Sequence, residues 1–133
     1  MRLSRDSSAP DGSRPPPGEP AGGPARVVVV LPPVIDVTNA ERVGTRLWRT
    51  AAGSRGVRVV VADLGQTRFC DAAGIRFLLM ARRRAALVGV DVRLAGVRGP
   101  VARVLELMEA DQLLPRYPSV EAALAGRAAA GTG

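Results

Sequence analysis

Three β-branched runs limit what this chain can become. They are "RVVVVL" at 26–31, "VRVVVADL" at 57–64 and "VDVRLAG" at 90–96. The first two are nearly continuous in apolar residues, which is the pattern of a strand buried on both faces. The third alternates. The segments between them repeat their apolar residues at helical spacing, so the order reads strand, helix, strand, helix, strand. Strands spaced by helices favour a parallel or mixed sheet with right-handed crossovers.

The helices carry their own start and stop signals. Thr38-Asn39-Ala40-Glu41 has the form of a capping box, and Ala40, Val43, Gly44, Leu47 and Ala51 then share one helical face. The glycines at 53 and 56 end that helix. Ile75, Leu78, Leu79 and Ala86 mark a second helix over about 72–88, stopped by Gly89. Gly99-Pro100 opens a third, with Val101, Val104, Leu105 and Met108 on its inner face. A short extended piece at 114–117 is expected to be an edge strand, and Ser119 to N-cap a last helix ending near Gly126. The expected fold is α/β: one domain over 26–127, with a mixed, mostly parallel sheet of about four strands packed against about four helices.

The ends read differently. Residues 1–25 hold six prolines and four glycines, too little apolar surface to offset the entropy of ordering, and are expected to be a disordered tail. Residues 128–133 are expected to fray. In the tail Arg2, Arg5 and Arg14 balance Asp6, Asp11 and Glu19, so the net +7 falls on the folded part. Every cation is an arginine. Aromatics make up only 3% of the chain, so the interleaved rings that single-stranded nucleic acid stacks on are missing, and no direct nucleic-acid partner is expected. One cysteine and no histidine leave no material for a zinc site or a His-based triad. No cofactor or metal is expected, and no acid–base pair for an enzyme stands out. No apolar run is long enough for a membrane span, and the N-terminal arginines precede no apolar segment of the kind a signal peptide needs. Together with the lone Cys70, this makes the cytoplasm the expected compartment.

Ligands of such sheets gather beyond the carboxyl ends of the strands. Two loops there each hold one aspartate: "PPVIDVT", with Asp36, and "GQTRFCDAAG", with Asp71. The second loop runs into the helix opening at Ala72, where free amides and the helix dipole present partial positive charge. The next side chains, Ala72 and Ala73, carry no chemistry of their own.

This layout resembles the STAS domain, the fold of bacterial anti-sigma factor antagonists, over roughly 26–126. "VVVVLPPVIDVTNAERV" is similar to the family's strand, Gly-Glu-Leu-Asp loop and first helix, with Asp36 at the loop's Asp. "VVVADLGQTRFCDAAGIRFLL" is similar to its second signature, a strand ending in Asp-Leu, then an apolar residue, Asp-Ser-x-Gly and an apolar helix. "SVEAAL" is similar to its last helix. The chain departs from the pattern at Pro33-Val34-Ile35-Asp36, which lacks the family's Gly and Glu, and at Ala72, where the family carries the serine that is phosphorylated. The family's first edge strand would fall in the Pro/Gly-rich tail.

The resemblance implies a non-enzymatic module of transcription regulation that docks on an anti-sigma factor or a histidine-kinase-like ATPase. It implies a partner surface of Asp36, Asp71, Ala72, Ala73, Gly74 and Ile75. In the family, phosphorylation places about −1.5 to −2 charges beside the aspartates and switches binding off. Ala72 has no oxygen to accept a phosphate, so docking here is expected without that switch. The nearest hydroxyls are Thr67 and Thr38. The alternative is a structural STAS subunit of a larger signalling or membrane transport assembly.

Simpler roles stand beside these. Asp71 serves as a plain N-cap, Asp36 as a turn cap and Cys70 as a small buried hydrophobe. Trp48 and Tyr117 are packing residues, and Arg82, Arg83 and Arg84 a solvated face.

Overall fold

The structure is a computed structural model and describes residues 26–53 and 55–126. The expectations for 1–25 and 128–133 lie outside the described residues.

Four parallel strands form the central sheet: β1 (Arg26–Val30), β3 (Val59–Asp63), β5 (Asp91–Ala95) and β6 (Arg116–Tyr117), side by side in the order β1-β3-β5-β6. The register pairs Val28 with Val61, Val61 with Arg93 and Ala95 with Tyr117. Four helices complete the architecture: α1 (Ala40–Gly53), α2 (Ala72–Leu87), α3 (Gly99–Leu107) and α4 (Val120–Ala125). The expected α/β arrangement is therefore present, and every described pairing is parallel.

The main core lies on one face of the sheet. Val60, Ala62, Val92 and Leu94 meet Val43 and Leu47 of α1, and Ile75, Leu78 and Ala85 of α2. Leu47, Ile75, Leu78 and Leu94 are wholly buried; each such side chain contributes about 1.5–3 kcal/mol of transfer free energy. The stripe of α1 is the expected set, Ala40, Val43, Gly44, Leu47 and Ala51. On α2, the lower half of the stripe is carried by Ala81 and Ala85, and Ala86 points to solvent. The opposite face is thinner: Val59, Val61 and Ala95 pack under Ala123 of α4. Two arginines hold α4 in place. Arg93 Nη1 donates to the Ala123 carbonyl at 2.7 Å, and Arg26 Nη1 to that of Leu124 at 3.1 Å.

The first run is not a strand buried on both faces. Among the described residues β1 is the end strand of the sheet, and Val28 and Val30 are 39% and 49% exposed, while Val29 between them is buried. A run of valines states that a strand forms; it does not state whether a neighbour covers its second face. The arginine triplet is a solvated face in part: Arg83 and Arg84 are exposed and Arg82 is half-buried. Arg82 donates to Asp91 Oδ1 at 2.6 Å, Arg84 lies 4.0 Å from the centre of the Trp48 ring, and only Arg83 is free among these three. Arg93 also bonds Asp91, at 2.8 Å. Burial alone would raise the Asp91 carboxyl, but the bonds from Arg93 and Arg82 outweigh it and hold it below the usual carboxylate range. Tyr117 packs on the second core, with Arg93 5.6 Å from its ring centre.

Candidate docking site at the start of helix α2

The loops that carry Asp36 and Asp71 are more ordered than their composition announced. Each contains a two-residue strand, β2 (Val34–Ile35) and β4 (Phe69–Cys70), and the two pair in parallel, Val34 with Phe69 and Ile35 with Cys70. The ladder continues one step further: the Asp71 N–H donates to the Ile35 carbonyl at 3.1 Å. Asp36 and Asp71 therefore follow paired residues and stand next to one another where the two small strands end. Two distant segments are brought to one place by a few backbone bonds. Two side-chain bonds, both half-buried, fix the same junction. Thr67 Oγ1 donates to the Pro32 carbonyl at 2.8 Å and Gln66 Nε2 to that of Leu31 at 2.7 Å.

Pairing also divides the side chains into two sets, as the period of a strand requires. Ile35 and Cys70 turn inward and are fully buried; Val34 and Phe69 turn outward, 39% and 47% exposed. Val37 adds a third exposed apolar side chain beside them in sequence. The result is a small apolar patch flanked by two carboxylates. Sequence reasoning missed Val34, Val37 and Phe69. The available signal was the period-two match of Val-Ile with Phe-Cys, too short to be distinguished from loop.

Asp71 caps α2. Its backbone is extended, its Oδ1 accepts the Gly74 N–H at 2.9 Å, and its carbonyl accepts the first helical bond, from Ile75. Its simple role is thus present. Asp36 is held by a different device. Its Oδ1 accepts from the Thr38 hydroxyl at 2.5 Å and from the Thr38 N–H at 2.9 Å. The hydroxyl bond and then the amide bond hold its carboxyl below the usual range, so Asp36 is anionic at neutral pH.

Those bonds overturn the capping box. Thr38 turns back to Asp36 instead of to Glu41, and Asn39 accepts the Asp36 N–H through Oδ1 and donates to the Val34 carbonyl through Nδ2. A four-residue pattern competes with every nearby acceptor, and here the preceding aspartate wins.

The six residues expected to face a partner separate into two groups. Asp36, Asp71, Ala72 and Ala73 are half-buried, with part of their surface open to solvent. Gly74 and Ile75 are buried and lie beneath. A Cβ on Gly74 would stand 2.5 Å from Cys70 Sγ and 2.8 Å from Ile35 Cγ2, so the helix approaches the small sheet too closely for any side chain. Ile75 belongs to the core. These two residues set the position of the surface and are not part of it.

Thr67 is buried, and its hydroxyl is already engaged by Pro32. Cys70 is buried, and that burial, with the Asp71 charge adding to it, pushes its thiol up to about 12. It serves as packing. Among the described residues, no helix is long and apolar enough to cross a membrane.

Comparison with known proteins agrees with this fold. The STAS domain family model matches residues 22–123. An anti-sigma factor antagonist from Mycobacterium paratuberculosis has a similar fold, with TM-score 0.65 and 24% identity over 75% of this chain and 84% of that one. The anti-sigma factor antagonist SpoIIAA in its unphosphorylated form superimposes with TM-score 0.61 at 16% identity, covering 75% of this chain and 87% of its own. The STAS domain of a SulP transporter from Vibrio cholerae is similar to the same degree, TM-score 0.62 and 19% identity over 77% and 80% of the two chains. No curated protein is similar enough in sequence to count as a relative.

Proposed function

This chain belongs to the STAS domain family, and from that premise we propose that it is a non-enzymatic protein-binding module of the anti-sigma factor antagonist type. It acts in the cytoplasm of a bacterium, docks on an anti-sigma factor or a histidine-kinase-like ATPase, and does so without a phosphorylation switch. The observation that carries this reading is the junction of β2, β4 and α2. It joins two carboxyl side chains, Asp36 and Asp71, to an outward apolar pair, Val34 and Phe69, around a helix start whose first residue is Ala72.

The chemistry follows from the parts. Apolar area supplies most of the binding energy, and the aspartates orient a partner that offers cations or amide donors. A hydroxyl at position 72 could take a phosphate and add negative charge beside both carboxylates. Alanine cannot, so the surface keeps one charge state at neutral pH and the partner is held until another signal removes it.

Affinity capture from the native host at low salt tests the reading, with the unmodified chain and a Phe69→Asp variant as paired baits. An anti-sigma factor or an ATPase of that kind, captured by the first bait and lost with the second, is the expected result. The likeness to a transporter STAS domain supports a second reading, a structural subunit of a transport or signalling assembly; transport components on the first bait would favour it.

A further inference from the structure

The two faces of the sheet are joined by charged side chains as well as by strands. Asp91, at the start of β5, offers its two carboxylate oxygens to two arginines. Oδ1 accepts from Arg82 Nη1 of α2 at 2.6 Å, and Oδ2 from Arg93 Nε at 2.8 Å. Arg93 reaches on to α4, where its Nη1 donates to the Ala123 carbonyl at 2.7 Å. We propose that this series of bonds is a latch that couples α2 to α4: α4 stays docked while Arg82 fixes Asp91, and loosens when a shift of α2 draws Arg82 away. The proposal does not depend on the docking role given to the start of α2.

Three observations carry it. First, α4 has two states available to it. It is six residues long, and Ala122 and Ala123 are its buried side chains. Isolated helices shorter than about 12–15 residues are marginal in water. This helix therefore forms only together with its contacts on the sheet, which makes docking and helix formation one local equilibrium.

Second, Arg93 holds α4 by shape as well as by charge. Its Nε and Nη1 face different partners, Asp91 and Ala123, so the planar guanidinium bridges them. The Ala123 carbonyl lies in the last turn of α4, where the helix dipole favours a cation. Lysine has one point of donation and cannot span both partners. Arg26 adds a bond to Leu124, but from an exposed position and at 3.1 Å.

Third, the far end of the latch belongs to α2. Arg82 Nη1 also donates to the Val92 carbonyl, at 2.8 Å, which fixes where it meets Asp91. Its helix packs on the other side of the sheet through Leu78, Ala81 and Ala85. Removing Arg82 has two opposed effects: it relieves competition for the Asp91 charge, and it frees the carboxylate to turn from Arg93. The Arg82 and Asp91 side chains are 31% and 39% exposed, so solvent screens the first effect and the loss of orientation prevails.

Native-state amide hydrogen exchange on the full chain tests the latch. The reporter is α4, whose Ala123 N–H donates to the Ser119 carbonyl at 3.0 Å; the amides of β3 report global opening. Arg93→Lys should speed exchange in α4 roughly tenfold or more, the loss of a hydrogen bond from a charged group, and leave β3 far less affected. Arg82→Met should speed it by a smaller factor, roughly threefold. Arg83→Met, beside it on α2, should change nothing. In the double variant, α4 should exchange no faster than in Arg93→Lys alone, because the latch is already open. Melting curves establish that each variant is folded, and Asp91→Asn, which keeps the shape and loses the charge, should speed α4 exchange in place of a variant that does not fold. The proposal is overturned by unchanged α4 exchange in Arg93→Lys or in Arg82→Met, by equal acceleration in α4 and β3, or by factors that simply multiply in the double variant.

Discussion

Replacing Gly74 by alanine is the sharpest perturbation of the docking junction, because it alters a position that never meets solvent. Gly74 lies in the first turn of α2, and an added Cβ would fall 2.5 Å from Cys70 Sγ and 2.8 Å from Ile35 Cγ2. Both neighbours are fully buried and belong to the paired small strands, so neither has open space to move into. Overpacking of this kind costs about 1–3 kcal/mol. Alanine returns up to about 1 kcal/mol through its better helix propensity. Two contacts under 3.0 Å put the cost in the upper part of that range, so a net loss of about 1–2 kcal/mol is expected. For a domain of this size that lowers Tm by roughly 4–16 °C. Urea titrations of four proteins measure it: the parent, Gly74→Ala, Cys70→Ala and the double variant. Cys70→Ala removes the nearest atom, so the two substitutions should couple favourably, by roughly 0.5–3 kcal/mol. A Gly74→Ala protein as stable as the parent would refute the reasoning, and so would strict additivity in the cycle.

Two further outcomes follow from the same junction. Asp71→Ala removes the cap on Gly74 and should cost about 0.5–2 kcal/mol in chemical denaturation, with Asp71→Asn close to the parent because an amide oxygen still caps. The Cys70 thiol should resist alkylation in the native state and react on unfolding. Because burial raises its folded pKa to about 12, the unfolded chain ionises first, so its contribution to stability is complete below about pH 9 and declines as pH rises toward 12; Cys70→Ala should flatten that alkaline decline in a melting series.

The architecture was legible where periodicity was long. The valine runs and the α1 stripe of Ala40, Val43, Gly44, Leu47 and Ala51 specify strands and a helix with one buried face, and α2 starts where its aspartate and glycine place it. What was not legible depends on which neighbour arrives. Val28 and Val30 look like core valines, but among the described residues β1 is an end strand and both side chains stay exposed. Arg82 looks solvated until Asp91 is brought beside it, and Arg84, though exposed, lies over the Trp48 ring. The same limit applied to the site. Both aspartates and Ala72 stood out as local signals, but the ladder of Val34–Ile35 with Phe69–Cys70 joins segments far apart in the chain, and only that pairing reveals the outward Val34 and Phe69. Ile75, which the family resemblance placed on the partner surface, is core because the helix turns it under.

The claim that matters most is that this surface binds but takes no phosphate. The direct measurement adds ATP to the complex of the chain with its captured ATPase, and follows both release and intact mass. The account predicts that the native complex persists and gains no phosphate, whereas Ala72→Ser gains one phosphate and dissociates. Release of the native chain by ATP, or a phosphate found on it at Thr38, would contradict the account.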